Sequence, residues 1–120
     1  PEEWPEYHDV TGGGWIMGTS THPPYGQFAV NVVDKDHPGA EGIADFVTND
    51  ELYTKLGWRE GNKVFMTADL DGESQPRAWS RRYGNGRVVA TVLGHNGLSF
   101  QNEQFQRLIL NGVNWTTSAE

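Results

Sequence analysis

Few side chains in this sequence can move protons or bind a metal. His95 follows Gly94 at the carboxyl end of an apolar, largely β-branched run, Val88-Val89-Ala90-Thr91-Val92-Leu93. An imidazole titrates near neutrality, so it can serve as a general base or, when neutral, as a metal ligand. A loop past the carboxyl end of a strand is also where open α/β sheets form ligand clefts. The plain alternative is a ring hydrogen-bonded to a loop carbonyl. Asp50 and Glu51, with Tyr53 close behind, form a second group. These acids could orient His95, bind sugar hydroxyls or ligate a metal, and they equally read as dipole complementation at a helix start. His22 and His37 each precede a proline in a turn, and either could join His95 or Glu51 around a divalent ion such as zinc. With no His-x-His or His-x-x-x-His pair, such a site must be assembled in three dimensions. His37 reads first as a residue stiffening an exposed turn, whereas Ser20, Thr21 and Tyr25 surround His22 with polar groups suited to a carbohydrate. The tryptophans read first as packing, with Trp79 and Trp15 the choices for stacking on a sugar face.

The elements that must position these groups follow from periodicity and turn chemistry. Tyr83-Gly84-Asn85-Gly86 is a tight turn, joining strands at 77–83 and 87–93 into a hairpin with Trp79 inward. A continuous apolar run suits a strand covered on both faces, which places 87–93 near the middle of a sheet. Further strands are expected at 28–33 and 63–68. In 43–56, Thr48 or Asn49 reads as the cap of a helical turn carrying Asp50 and Glu51, with Leu52 and Leu56 inward. Asn102 reads as the cap of a helix over 103–116, whose apolar face comprises Phe105, Leu108, Ile109, Gly112 and Val113. Near the start, Trp4, Tyr7 and Val10 mark a short helix that ends at Gly12-Gly13-Gly14, and Trp15-Ile16-Met17 reads as a brief buried segment. The three glycines are no phosphate cradle, because no Lys-Ser/Thr follows them.

Composition narrows the function classes. The 120 residues suit one domain, spanning 1–120, with a core of its own. Sixteen acids against nine bases give a net charge of −7, which argues against nucleic acid or an anionic membrane as partner. The absence of cysteine removes disulfides, thiolate metal sites and a cysteine nucleophile. The chain opens on Pro1-Glu2-Glu3-Trp4 without Met, which reads as a fragment or processed form. No signal peptide is visible; a cytoplasmic location is favoured, with secretion of the parent protein open.

Four blocks in order resemble the ThuA-like (trehalose utilisation) family: Trp4-Pro5-Glu6-Tyr7 followed by glycines and Ser20-Thr21-His22-Pro23; Val33-Asp34-Lys35-Asp36-His37-Pro38; Asp50-Glu51-Leu52-Tyr53; and Ala78-Trp79 through Tyr83-Gly84-Asn85-Gly86-Arg87 to Leu93-Gly94-His95. The closing Phe105 to Trp115 helix fits as well. The resemblance implies an α/β fold of the class I glutamine amidotransferase-like (flavodoxin-like) type, a three-layer sandwich with a mixed sheet. This chain would be its carboxyl-terminal portion, lacking the segment that bears the nucleophile in true amidotransferases. It implies His95 and Glu51 as catalytic residues at one cleft, with His22, Asp50, Tyr53 and Trp79 around the substrate and His22 and His95 as candidates for a divalent metal. The function it implies is acid/base chemistry on a carbohydrate or its oxidised derivative, without amidotransferase chemistry. The alternative is a non-catalytic sugar-binding or association module. A sheet missing its neighbours would expose an edge, so self-association or pairing with a missing amino-terminal segment is expected, through strand 28–33 or the Trp15-Ile16-Met17 flank.

Overall fold

The computed structural model describes residues 3–118. In chain order it contains α1 (Tyr7–Thr11), β1 (Gly13–Gly14), β2 (Gly26–Val32), a 3-10 turn (Pro38–Ala40), β3 (Phe46–Asp50), β4 (Gly57–Trp58), β5 (Lys63–Leu70), β6 (Glu73–Tyr83), β7 (Gly86–Thr91), α2 (Gly97–Phe100) and α3 (Glu103–Thr117). Five strands make one sheet in the order β3-β2-β5-β6-β7, every pair antiparallel, and β1 pairs with β4 in a separate ribbon. Among the described residues no helix is long and apolar enough to cross a membrane.

Successive residues of a strand point to opposite faces, and β6 shows what covers each. Trp79 donates its indole N–H to the Thr11 carbonyl at the end of α1 and meets the Trp58 ring edge-on at 4.8 Å. Its neighbour Ser80 lies on the other face, 2.6 Å from His37 Nε2 beneath the 3-10 turn. The chain is therefore layered, with α1 and the small ribbon on one side of the sheet and α3 with the 3-10 turn on the other. The main core lies on the α3 side, where Val30, Phe65, Met66, Ala78, Phe105 and Leu108 are buried together.

The glycines after α1 serve close packing. Gly12 closes the helix in the left-handed region (φ 87°), and a Cβ on Gly13 would stand 2.3 Å from the Gly57 carbonyl oxygen. The segment after them is not buried: Met17 is 73 % exposed.

Three expectations about the frame change. First, β7 lies at an edge of the sheet, not in its middle. Its apolar run reflects cover on both faces, by α3 and by α1, and cover of faces says nothing about neighbours in the sheet plane. Second, β2 lies between β3 and β5, so 28–33 is not an edge strand of the sheet. Third, residues 46–50 form a strand where a helical turn was expected. Phe46, Thr48 and Asp50 are buried and Val47 is exposed, a period of two that β-branched Val47 and Thr48 favour over a helix.

α3 starts as expected, with Asn102 Oδ1 accepting the N–H groups of Gln104 (2.9 Å) and Phe105 (3.3 Å). Its buried stripe is narrower than the apolar pattern suggested. Phe105 and Leu108 are inside, and Gly112 lets the helix approach Val89, but Ile109 and Val113 face outward at 45 % and 54 % exposure. Buried Asn111 takes the inner position, donating to the carbonyls of Gly39 (3.1 Å) and Glu41 (2.7 Å) and so tying α3 to the 3-10 turn.

His37 is likewise an internal residue, not an exposed turn residue or a ligand. Its Nδ1 accepts the Gly39 N–H (2.9 Å), which leaves the proton on Nε2 for Ser80, and the ring stacks on Phe65 at 4.1 Å. Burial, the largest cause, lowers its pKa from the ordinary 6.5.

Two outcomes follow. Leu108→Ala should cost about 2–5 kcal/mol in denaturant unfolding, because Leu108 is 1 % exposed, whereas Ile109→Ala should stay within about 0.5 kcal/mol. The folded His37 prefers the neutral ring, so its contribution is complete above its unfolded pKa and is lost as pH falls through the lowered folded value. The melting temperature should therefore fall on acidification below about pH 6.5, and His37→Asn should flatten that slope. An unchanged slope in the variant would remove His37 as its source.

Candidate functional site

The chain remains extended past the end of β3, and this arrangement of the backbone builds the site. Asp50, Leu52 and Thr54 are buried, while Glu51 and Tyr53 between them are half-buried on the opposite side. An isolated antiparallel bridge pairs Thr54 with Thr21, with hydrogen bonds in both directions between their N–H and carbonyl groups (2.7 and 3.2 Å). That bridge sets His22 beside Tyr53, ring centroids 5.8 Å apart. His95 arrives from the other direction, on the loop after β7. Gly94 turns there with φ 103°, a conformation suited to glycine.

One buried carboxylate joins the two segments. Asp50 is 1 % exposed and accepts the N–H groups of Glu51 (2.8 Å), Gly94 (2.7 Å) and His95 (3.1 Å). It therefore fixes the backbone of both Glu51 and His95, and its burial removes it from direct substrate contact. Arg77 of β6 balances its charge from within the core. That side chain is fully buried and donates from Nη2 to the Tyr53 carbonyl. Desolvation lowers its pKa to about 10, against the opposing pull of Asp50, so it stays cationic at neutral pH.

Three candidate side chains converge on Glu51. His95 Nδ1 lies 3.0 Å from Glu51 Oε1, His22 Nε2 lies 3.3 Å from Oε2, and the Tyr53 hydroxyl donates to Oε1 at 3.4 Å. Burial first, and then the adjacent Glu51 carboxylate, raises the Tyr53 pKa, which keeps the phenol a donor. A proton on His95 Nδ1 directed to Glu51 leaves the Nε2 lone pair free, and the His95 side chain is 41 % exposed. Tyr25 flanks that ring at 5.7 Å and donates to Asn96 Oδ1 at 3.2 Å.

His22 has acceptors at both nitrogens: the Pro23 carbonyl 2.6 Å from Nδ1 and Glu51 Oε2 at Nε2. Both contacts are satisfied when the ring carries two protons, or when Glu51 itself holds one. Among the described residues no group of three or more His, Asp or Glu is arranged to hold a metal ion. For His22, Glu51 and His95 to do so, the two imidazoles would have to exchange their protons toward Glu51 for the metal.

A cleft of about 510 Å³ opens from His95 along β7, walled by Trp15, Tyr53, Tyr7 and Gly94. Its volume is within the roughly 300–1,000 Å³ typical of small-molecule sites. Trp79 also borders this space, but at 1 % exposure it belongs to the packing against Trp58 and α1 and offers no free ring face. Trp15, 4.8 Å from Tyr53 and 5.9 Å from His22, is the tryptophan that stands at the cluster. The backbone role of Asp50 and the internal cation Arg77 were missed in the sequence. The available signal was the alternation from Phe46 to Thr54, which puts Asp50 inside whenever Glu51 is outside.

Comparison with known proteins agrees with this architecture. The ThuA-like protein of Parabacteroides merdae superposes with a TM-score of 0.80 at 23 % identity, over 100 % of this chain and 59 % of that one. A ThuA-like protein of Bacteroides uniformis gives 0.70 at 18 % identity, over 98 % of this chain and 53 % of that one. The present chain thus spans little more than half the length of either, and the likeness places it in the same α/β fold, broadly of the flavodoxin-like and class I glutamine amidotransferase-like type. No curated protein matches it. The ThuA family profile, described as trehalose utilisation, matches residues 1–116, and the chain belongs to that family.

Proposed function

We propose that this chain performs acid/base chemistry on a carbohydrate or an oxidised sugar derivative, with His95 as the base and Glu51 as the carboxylate that orients it. The observation that carries this reading is the 3.0 Å contact between His95 Nδ1 and Glu51, on a partly exposed ring that lines the cleft. A carboxylate behind an imidazole fixes the tautomer and orients the ring while Nε2 takes a proton. His22, on the other oxygen of Glu51, is placed to return a proton. Tyr53 and the polar groups of Tyr25 and Asn96 are near enough to meet sugar hydroxyls. The carbohydrate class rests on the family description together with this aromatic and hydroxyl-bearing surround. The chain itself supplies no thiol nucleophile, having no cysteine.

The test is proton NMR of trehalose, other disaccharides and their keto derivatives, incubated with the protein in D2O. Turnover or carbon–hydrogen exchange is expected with the wild type. It should fall by about 10²–10⁴-fold in His95→Ala and Glu51→Gln, with sugar affinity largely kept. Binding without any turnover or exchange would leave a sugar-binding module, and no binding across the panel would end the carbohydrate reading.

A further inference from the structure

We propose that an exposed aromatic hollow next to the acid/base cluster is a second sugar-ring subsite, so that the preferred ligand is a disaccharide or longer glycoside. This rests on the carbohydrate reading above and specifies the substrate further. The hollow encloses about 440 Å³ between Trp4, Tyr7, Trp15, Ile16 and Met17. Tyr7 and Trp15 also line the cleft that ends at His95, so the two spaces share a wall and one ligand can lie across both. At the shared wall Trp15 stands 4.8 Å from Tyr53, which donates to Glu51. At the far end Trp4 meets Tyr7 edge-on at 5.5 Å, with half of Trp4 exposed. A row of rings therefore runs from the cluster into the hollow.

The chemistry of this surface selects its occupant. Trp4, Ile16 and Met17 gather 50 %, 37 % and 73 % exposure in one place, an apolar concentration that marks a binding surface more often than bare solvent contact. The Trp15 N–H is already directed to Met17 Sδ at 3.3 Å, so the indole offers chiefly its ring face. A pyranose presents a face of C–H bonds to such rings while its hydroxyls stay in water, which suits an open platform. At the other end the cleft reaches His95, and the ionisable cluster of Glu51, His22 and His95 beside it is a poor neighbour for a wholly apolar ligand. A net charge of −7 disfavours a nucleic acid, whose bases would also stack.

Titration calorimetry of the full chain with glucose, trehalose and maltose tests the proposal, using wild type and Trp4→Ala. Trp4 is half exposed, so its removal should leave the fold intact, which the melting temperature checks. The wild type should bind a disaccharide more tightly than glucose, and Trp4→Ala should weaken the disaccharide about three- to tenfold while leaving glucose unchanged. Equal effects on both sugars, or none on either, would overturn the second subsite and leave the cluster as a single-ring site. Failure of the wild type to bind any sugar would remove the carbohydrate reading and the subsite with it. A wild-type dimer that Trp4→Ala converts to monomer in light scattering, with sugar affinities unchanged, would make the hollow an interface between copies.

Discussion

The site depends on the three backbone hydrogen bonds that the buried carboxylate of Asp50 accepts. Glu51 and His95 lie forty-four residues apart in the chain, and nothing in their own side chains brings them within 3.0 Å. Asp50 does so by holding the N–H of Glu51 on its own segment and those of Gly94 and His95 on the opposite one. A buried carboxylate needs hydrogen-bond donors and a nearby cation. Arg77 meets that demand from β6 and at the same time grips the Tyr53 carbonyl, so the charge balance of the core and the geometry of the cleft are one arrangement. A neutral residue at 50 would leave both loops without a shared anchor and Arg77 without its counter-charge.

How much of this the sequence revealed depends on which periodicity dominates locally. The hairpin about Gly84-Asn85-Gly86 and the Asn102 cap were legible because turn and cap chemistry is set by a few adjacent residues. The segment 46–54 was misread because Asp50-Glu51 mimics the acidic first turn of a helix, whereas the alternation of buried Phe46, Thr48, Asp50, Leu52 and Thr54 is that of a strand. The distinction matters to the site. In an extended chain Glu51 and Tyr53 share a side; on a helix they would diverge by about 200°. That His95 and Glu51 belong near one cleft was suggested by the family's order of blocks, not by any spacing within this sequence.

The misplacements of β7 and α3 share a physical cause. Hydrophobic pattern reports which faces are covered, and β7 is covered on both while one of its edges has no strand beside it. On α3 the pattern includes Ile109 and Val113, but the helix is rotated so that Asn111 can reach two carbonyls of the 3-10 turn. Those two hydrogen bonds hold α3 in the rotation that leaves Ile109 and Val113 outward. Of the two tryptophans named for stacking, Trp79 is lost to the core for a related reason. The hydrogen bond of Trp79 to Thr11 pulls it under α1, and Trp15, beyond the glycines that close that helix, is left at the cleft.

The remaining question is how Glu51 serves two imidazoles at once. Each of its oxygens faces one ring, so a single negative charge is shared between two potential cations. A proton on each His22 nitrogen would meet both of its acceptors, and the pair His22–Glu51 would then be neutral beside a His95 whose Nε2 carries a lone pair. Uptake of a proton at that nitrogen then gives the cluster one net positive charge, a state that release from His22 would relieve. Net proton movement from one face of the carboxylate to the other thus needs no large motion of Glu51, whose backbone Asp50 already holds. The two rings are 41 % exposed for His95 and 31 % for His22, and His95 also lines the cleft. On the proposed reading, the two histidines across one fixed carboxylate divide the roles of base and acid, a division of labour that either ring alone could not provide.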